Sequence, residues 1–529
     1  MTTLLLLVLL APAALAAVSV PFRRAAWTRW TPVAASVIVL AGGIGLVQGA
    51  AAALPTAGSP GSPGSPLASG AVTALDGLLR ADSFAAYLVC VVGAVALTAT
   101  WGGIRSAATA DGWFSTLLCG FLAAMVLALV ADNLGVMWVA IEATTITTAF
   151  LVGYGGGKRS LEAAWKYVVL GSVGVAIALL GIVLLYAATS VAGHPTLSWV
   201  ELTTMGASLD PDLTRIGVAL AALGFATKAG LAPMHSWLPD AHSQAPAPVS
   251  ALMSGVLLSV AFAGILRVRT ISDAVLGEGM MRWLLVVGGL LSLLVAALLL
   301  LTQRDYKRML AYSSIEHMGI VAIGGAIGGP LATGAVLLHM LGHGLAKATL
   351  FVVAGRMLAL LGTSKIDEVS GLLGRAPRLA VPYLVGSAAL LGFPPFGLFF
   401  SEVAIVVAGW QAGLGWVVGV MIALVLLVFA ALGRHILAMM LTRHRQPTVV
   451  AGEAGGVNEA AVAGQPAGTG LPRVAGQPGV HEDGDDHGSA TGPLVPLWAA
   501  LGVVAMSGAL AWPLVGVLRD AVVAAGAGR

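Results

Sequence analysis

The chain has 529 residues, of which 58% are hydrophobic and only 10% are charged, and its mean hydropathy is +0.94. This composition excludes an ordinary soluble protein and is typical of a polytopic helical membrane protein. The formal net charge of +3 is too small to indicate nucleic-acid binding.

Apolar runs long enough to cross a bilayer as helices, about 20 residues each, recur along the chain. The first is followed by Arg23 and Arg24. A cleaved signal peptide carries its positive charges before the apolar run, so we interpret this segment as a retained first span. The sequence predicts an all-α polytopic membrane protein with about 14 spans. They lie at residues 2–20, 31–53, 83–104, 113–131, 133–153, 165–190, 214–232, 248–268, 282–302, 309–327, 331–361, 379–408, 412–441 and 494–518.

Lysine and arginine are concentrated in alternate loops, which is the pattern of cytoplasmic loops. It predicts a cell-membrane protein with both termini outside. The main exception is the loop after the eighth span, with Arg267, Arg269 and Arg282.

Two polar segments are not spans. Residues 55–66 form a Gly, Ser and Pro linker, and residues 443–493 are predicted to be a disordered cytoplasmic insert. The insert contains an acidic run, HEDGDDH at residues 481–487, which we interpret as a solvated linker rather than a metal site.

Two charged residues lie within apolar spans, Glu142 in the fifth and Lys228 in the seventh. An isolated charge at a helix centre costs several kcal/mol, so such groups face a bundle interior or water. Paired with each other, they would be poised to exchange a proton whenever the pairing loosened. A static ion pair that fixes helix packing is the alternative, and these two residues alone leave both readings open.

Helix breakers accompany two of the buried charges. Gly230 and Pro233 follow Lys228, and Pro394 and Pro395 precede Glu402. Two interrupted spans in corresponding positions predict two inverted five-helix repeats, spans 4–8 and 9–13, with helices 7 and 12 discontinuous. The alternative for each interruption is a simple kink.

The eleventh span carries His339, His343 and Lys347 at spacings of four, which places them on one helix face. Because histidine titrates near physiological pH, this polar stripe favours a proton path over a packing role. Glu316 and His317 in the tenth span could extend the path or reach toward the interface, and the sequence leaves both readings open.

Four phrases carry a recognisable pattern: ATKAGLAPMHSWLPDAHSQAPAPVSALMSGVLL, AYSSIEHMGI, HMLGHGLAKATLF and GFPPFGLFFSE. They resemble the proton-conducting antiporter-like family, which includes membrane subunits of complex I, of multisubunit sodium/proton antiporters and of group 4 hydrogenases. The wording WVAIEATT, SLEAAWKYVVLGSVG and SIEHMG looks most like hydrogenase-4 component F.

The resemblance implies roles for particular residues. Glu142 and Lys228 match a coupled pair, Lys166 matches a sixth-span lysine, and Glu402 matches the terminal proton carrier. The sequence alone leaves Glu162 and Lys166 open to a purely interfacial i, i+4 pair. Ser259 stands where many relatives have a lysine, and a hydroxyl cannot store a charge. The proton-translocation candidates are Glu142, Lys166, Lys228, His339, His343, Lys347 and Glu402, and the accessory candidates are His235, Asp240, His242, Ser259, Glu316 and His317.

The resemblance implies a non-redox, proton-translocating membrane subunit of a hydrogenase-like or complex I like complex. Its partners would be other membrane subunits and a soluble hydrogenase-like or dehydrogenase-like arm. No cofactor, metal or catalytic site is expected, since no cysteine cluster or dinucleotide fingerprint is visible. The alternatives are a sodium or potassium/proton antiporter subunit and a structural anchor for a soluble enzyme.

The expected organisation has five parts. They are the N-terminal helices 1–3 at residues 1–110, the first repeat at 111–270, the second repeat at 271–442, the insert at 443–493 and the last helix at 494–529.

Overall fold

The computed structural model describes residues 1–52, 70–441, 492–509 and 521–522. The predicted linker at residues 55–66 and the acidic run at residues 481–487 lie outside the described residues. So does the predicted insert at residues 443–493, except for its last two residues.

Helices make up nearly all of the described chain. A short antiparallel hairpin of β1 (Val72–Ala74) and β2 (Leu79–Ala81), which was not predicted, precedes the third helix. The helices are α1 (Thr2–Ser19), α2 (Thr31–Ala52), α3 (Ser83–Gly102), α4 (Gly112–Val130), α5 (Leu134–Val152), α6 (Lys158–Val191), α7 (Trp199–Met205), α8 (Pro211–Ala229), α9 (Trp237–Gln244), α10 (Ala247–Leu252), α11 (Leu258–Leu276), α12 (Gly279–Leu301), α13 (Tyr306–Ile327), α14 (Gly329–Leu361), α15 (Leu372–Arg375), α16 (Pro377–Leu390), α17 (Gly397–Gln411), α18 (Gly415–Leu441) and α19 (Val495–Ala509).

Eleven helical segments of the described chain are long and apolar enough to cross a membrane. The α10 and α11 helices join through a turn of π-helix at Met253–Leu257 and count as one such segment. Three predicted spans are not among the eleven. The α8 helix carries three charged side chains, the predicted twelfth span is divided into α16 and α17, and α19 has 15 residues within the described part.

The interruption of the predicted seventh span follows Lys228 directly. The α8 helix ends at Ala229, and Gly230 adopts a left-handed conformation with φ +73°, which glycine tolerates without steric cost. The chain then turns and resumes as α9. The Trp237 indole donates a hydrogen bond to the Thr227 carbonyl at 2.9 Å, which satisfies one of the groups freed at the helix end.

Small residues bring α6 and α8 into close contact. A Cβ at Gly224 would lie 2.5 Å from both the backbone nitrogen and the Cβ of Ala178, and a Cβ at Gly181 would lie 2.4 Å from the Ala221 nitrogen. Small side chains at such spacings let membrane helices approach closely, because backbone packing replaces the missing hydrophobic driving force.

The centre of the bundle consists of the α10–α11 segment and α13, whose apolar windows are completely buried. Outer helices such as α6, α12 and α18 expose many large apolar side chains, as a lipid-facing surface requires. The polar groups on the central helices are therefore shielded from lipid.

The charges that broke the predicted loop alternation are neutralised in the structure. Arg267 donates two hydrogen bonds to the Asp82 carboxylate, at 2.7 and 2.8 Å, and both side chains are buried. Arg269 pairs with Asp273 at 3.0 Å. Arg282 pairs with Glu278. Arg267 and Arg269 lie within α11 rather than in the loop where they were predicted.

Candidate functional site

Lys228, on α8, is completely buried where this helix packs against α6. Its ammonium donates a hydrogen bond to the Tyr167 hydroxyl at 3.1 Å and lies 4.4 Å from the centre of the same ring. Gly171 on α6 leaves the necessary space, since a Cβ there would lie 2.9 Å from the Lys228 Nζ. The lysine is thus held by a phenol and a cation–π contact rather than by a carboxylate.

Glu142 does not form the expected ion pair with Lys228. Its carboxylate accepts hydrogen bonds from Thr145 at 3.1 Å and from Ser172 at 3.0 Å. Ser172 and Tyr167 both belong to α6, so hydroxyl groups of this helix contact each of the two charges. The expectation of direct pairing was wrong because it considered α5 and α8 without the helix that supplies these hydroxyls.

Lys166 is half-exposed, so the prediction that it belongs to a chain of buried groups was wrong. It lies in the third turn of α6, pairs with Glu162 at 2.7 Å and reaches Asp240 on α9 at 3.1 Å. Asp240 also accepts a hydrogen bond from Arg308 at 2.7 Å. The four side chains form an ionic network that ties α6, α9 and α13 together near the helix ends.

Three histidines meet in the buried centre. His317 Nδ1 and His339 Nε2 share a hydrogen bond at 3.0 Å, and the ring centres of His317 and His343 are 4.9 Å apart. His339 Nδ1 is hydrogen-bonded to Ser401 Oγ at 3.0 Å, and His343 Nε2 lies 3.3 Å from the Ser254 carbonyl. The cluster joins α13, α14 and α17, and it places His317 in the interior rather than near the interface.

Lys347, one turn beyond His343, is also buried. Its ammonium donates hydrogen bonds to the Leu310 carbonyl at 2.6 Å and to the Ser313 hydroxyl, both on α13. No carboxylate within the described residues forms an ion pair with it, and its charge interacts with that of Glu316. It is therefore held by neutral oxygens, as Lys228 is.

Glu316 is buried beside the histidines, so the alternative of a side chain that reaches the interface was wrong. Its Oε2 lies 3.5 Å from His317 Nε2. Glu316 and Glu402 line the same small cleft, which has a volume of about 10 Å³ and apolar walls from α16 and α18. The charge of Glu316 interacts with those of both Glu402 and Lys347.

Several accessory candidates are buried polar groups that lack a hydrogen-bond partner within the described residues. They include both ring nitrogens of His242 and the Ser259 hydroxyl. His242 stacks on Phe351 with ring centres 5.1 Å apart and is close enough to Lys347 for their charges to interact. His235, in the turn after Gly230, is partly buried, and its Nδ1 also lacks a partner in this part of the chain.

His317, His339 and Glu402 offer one potential metal-ligand atom each, and these atoms lie within 4.8 Å of one another. The two facing histidine nitrogens are already hydrogen-bonded to each other at 3.0 Å. His317 and His339 therefore form a hydrogen-bonded pair, with Glu402 close by.

The sequence interpretation did not identify the neutral residues that hold the charged ones. Tyr167 and Ser172 on α6, and Ser313 and Ser401 on α13 and α17, each contact a candidate side chain. Hydroxyls are common in membrane helices, so their presence gave no signal. Only their position one helix away from a buried charge distinguishes them.

Residues 131–429, more than half of the chain, match the model of a family described as NADH:quinone oxidoreductase/Mrp antiporter, TM. The chain belongs to this antiporter-like family. A hydrogenase-4 component F homolog from Methylacidiphilum infernorum (isolate V4) is 43% identical over 293 residues, 55% of this chain and 62% of that relative. These matches confirm the family resemblance noted in the sequence.

Two further relatives of this antiporter-like chain are more distant. Hydrogenase-4 component B from Escherichia coli (strain K12) is 33% identical, over 62% of this chain and 50% of the relative. NADH-quinone oxidoreductase subunit N from Chloroflexus aggregans (strain MD-66 / DSM 9485) is 31% identical, over 65% of this chain and 71% of the relative. The chain thus spans 50% to 62% of the length of the two hydrogenase-4 relatives.

Solved structures share the antiporter-like fold. A chain of the membrane-bound sulfane sulfur reductase, an archaeal respiratory membrane complex, has a TM-score of 0.81 at 21% identity and covers 100% of this chain and 98% of that one. A chain of the Mrp complex from Dietzia sp. DQ12-45-1b has a TM-score of 0.77 at 21% identity, covering 99% and 97%. The predicted all-helical, multi-pass architecture is confirmed, whereas the count of 14 spans and the inverted repeats stay predictions.

Proposed function

We propose that this chain is a non-redox membrane subunit that translocates protons within a hydrogenase-like or complex I like respiratory complex. The observation that carries the proposal is the set of ionisable groups inside the bundle, from the buried Lys228 on α8 through the buried Lys347 and histidines on α14 to the partly buried Glu402 on α17. Intramembrane ionisable residues are costly, so their accumulation on facing helices favours a functional role over packing.

The first loading site consists of Glu142 and Lys228. Since Ser172 and Tyr167 of α6 contact the two charges separately, a proton passes between them through hydroxyl groups rather than across a direct ion pair. Hydroxyls both donate and accept, so they can relay a proton without holding a charge.

The second site is the histidine cluster with its lysine and two glutamates. Lys347 is held by neutral oxygens, and the charge of Glu316 interacts with those of both Lys347 and Glu402. We assign Glu316 to the path itself, as a carrier between Lys347 and the terminal group Glu402.

Outside these two sites, the buried polar atoms of His242 and Ser259 have no hydrogen-bond partner within the described residues. Buried polar groups in proteins are almost always satisfied, commonly by ordered water. We propose that water molecules bind these atoms and connect the two sites. Ser259 would then take part in a hydrogen-bonded wire even though it stores no charge.

We also propose how the chain is organised in the membrane. The broken spans, α8 to α9 and α16 to α17, each stand beside an ionisable group, and inverted repeats at residues 111–270 and 271–442 would account for both. The remaining parts would be helices 1–3 at residues 1–110, the insert at 443–493 and a last helix at 494–529. Fourteen spans would place both termini outside the cell membrane.

A vesicle assay on the membrane complex that contains this chain tests the function. Lys228→Met should lower proton uptake at least roughly tenfold, since proton-transfer groups contribute factors of that size or more. Lys158→Met, at the exposed start of α6, is the matched control and should pump normally. Wild-type uptake by an assembled Lys228→Met complex would contradict the proposal.

The ion is tested in the same vesicles. Proton flux that is unchanged when sodium and potassium are replaced by choline supports proton translocation alone. Flux that requires either cation would instead support the antiporter alternative. A third outcome would indicate a structural anchor. In that case deletion of the subunit prevents assembly of the complex, while the Lys228, Glu142 and Glu402 variants assemble and leave flux unchanged.

A further inference from the structure

A second polar feature lies at one end of the bundle, away from the buried path. It is a pocket of about 380 Å³ between the end of α3, the start of α10 and the last turns of α14. This volume is in the range of small-ligand sites. Among its lining residues are Arg105, Lys307 and Arg356, and we call it the basic pocket.

Among the residues that the structure describes, the lining of the basic pocket contains no aspartate or glutamate. Arg105 and Arg356 lie close enough to repel one another. Asp305, whose carboxylate interacts with the Lys307 ammonium, lies outside the lining and accepts a hydrogen bond from the Arg308 backbone at 2.9 Å. Like charges gathered around a cavity are stabilised by an anion placed between them.

Two of the cations are buried and fixed in place. Lys307 donates to the carbonyls of Ser243 at 2.8 Å and Ala245 at 3.0 Å. Arg356 donates through one terminal nitrogen to the carbonyls of Gly102 at 2.6 Å and Pro493 at 2.8 Å. Carbonyls orient these side chains but do not neutralise them.

Arg356 also has unused donor capacity. Arg356 is only 4% exposed. Its other terminal nitrogen, Nη1, is buried and has no hydrogen-bond partner in the part of the chain that the structure describes. A buried donor of a charged group is costly to leave unsatisfied, so this atom calls for an acceptor. A phosphate oxygen fits the planar guanidinium better than water does.

The surroundings indicate the level of lipid headgroups. Arg105 also lines a neighbouring cleft with Arg29, Trp27 and Trp30. The two tryptophans are 45% and 51% exposed. Exposed tryptophans at the ends of membrane helices are typical of the membrane–water interface.

We propose that the basic pocket binds the phosphate group of an anionic phospholipid. The phosphate oxygens accept hydrogen bonds from Arg356 and Lys307, Arg105 supplies further positive charge, and the acyl chains leave along the cleft beside Trp27 and Trp30. Basic pockets between membrane helices commonly hold anionic headgroups. The site shares no residue with the proton path, so it stands or falls independently of the proposed function.

Lipid retention by the full chain tests the assignment. The detergent-purified protein is incubated with equal amounts of phosphatidylglycerol and phosphatidylcholine of the same acyl length, and bound lipid is counted by native mass spectrometry. The wild-type chain should retain phosphatidylglycerol preferentially. Arg105→Gln should lower that preference roughly fivefold, the usual contribution of one cation near a membrane surface.

Two variants separate a binding effect from misfolding. Arg105→Lys keeps the charge and should retain most of the preference, and Arg215→Gln removes an exposed arginine that pairs with Asp212 outside the pocket. Equal retention of the two lipids by the wild-type chain would overturn the proposal. So would an unchanged preference in Arg105→Gln, or displacement of phosphatidylglycerol by inorganic phosphate at equal concentration, which would assign the pocket to a soluble anion.

Discussion

The Lys228 ammonium donates its hydrogen bond to the Tyr167 hydroxyl at 3.1 Å and sits 4.4 Å from the centre of that ring. A tight ion pair with a carboxylate would stabilise the buried ammonium and hold the proton in place. The neutral phenol of Tyr167 stabilises the ammonium less, so the proton stays available for transfer. The position of Tyr167 on α6 makes this helix part of the relay that we propose.

Tyr167→Phe removes this acceptor while keeping the ring. We expect proton uptake in vesicles to fall several-fold, and the midpoint of thermal unfolding to shift only slightly, because one hydrogen bond contributes about 1 kcal/mol. Tyr186→Phe, an exposed position on the same helix, is the matched control. Equal uptake by the Tyr167→Phe and wild-type complexes would remove Tyr167 from the relay.

Gly224→Ala tests the contact between α6 and α8. The new Cβ would lie 2.5 Å from backbone and side-chain atoms of Ala178, so the two helices must separate. Overpacking of this kind costs about 1–3 kcal/mol, which should appear as a lower unfolding temperature in detergent. Gly288→Ala on α12 meets nothing within 4 Å and should be neutral or slightly stabilising.

Asp82→Asn tests the buried ion pair with Arg267. Removal of one partner leaves an uncompensated buried charge, and we expect a loss of about 3–5 kcal/mol in the free energy of unfolding. The exposed pair of Asp212 and Arg215 offers the comparison. Asp212→Asn should cost less than about 1 kcal/mol, and a similar loss for both variants would show that burial does not matter here.

Glu316→Gln and Glu402→Gln test whether the two carboxyl groups act in series. If the proton passes from Glu316 to Glu402, each single variant should lower uptake about as much as the double variant does, because groups that act as a unit are not additive. Glu201→Gln, at an exposed position on α7, controls for loss of a carboxylate. Independent effects that multiply in the double variant would place the two glutamates on separate routes.

The sequence predicted the helical class, the family and the location of the helix break after Lys228. These features depend on local composition and on residues near one another in the chain. The sequence did not predict that α6 hydroxyls contact Glu142 and Lys228, or that Glu316 is buried against Glu402. Such contacts depend on how helices rotate and pack, and the wrong prediction of a direct Glu142–Lys228 pair arose from that missing information.

A sequence does not show whether a charged residue is buried or paired, and both properties affect how that residue should be counted. Arg267 was counted as a loop cation, yet it is paired with Asp82, a residue 185 positions earlier in the chain. Lys166 was counted among buried groups, yet it is half-exposed and belongs to an ionic network with Asp240. Both outcomes required long-range contacts that a single sequence does not display.

The hydrogen bonds from His317 to Ser401 have a direction. Ser401 donates its only hydroxyl hydrogen to the Leu398 carbonyl at 2.7 Å, so it accepts from His339 Nδ1. A neutral His339 then accepts at Nε2 from His317 Nδ1, which leaves His317 Nε2 as a bare acceptor beside Glu316. A proton accepted by His317 Nε2 can be passed no further than His339, because the Ser401 hydroxyl gives its hydrogen to a carbonyl that cannot take up a proton. The two histidines therefore form a closed side branch, and a proton that enters it from Glu316 must leave by Glu316.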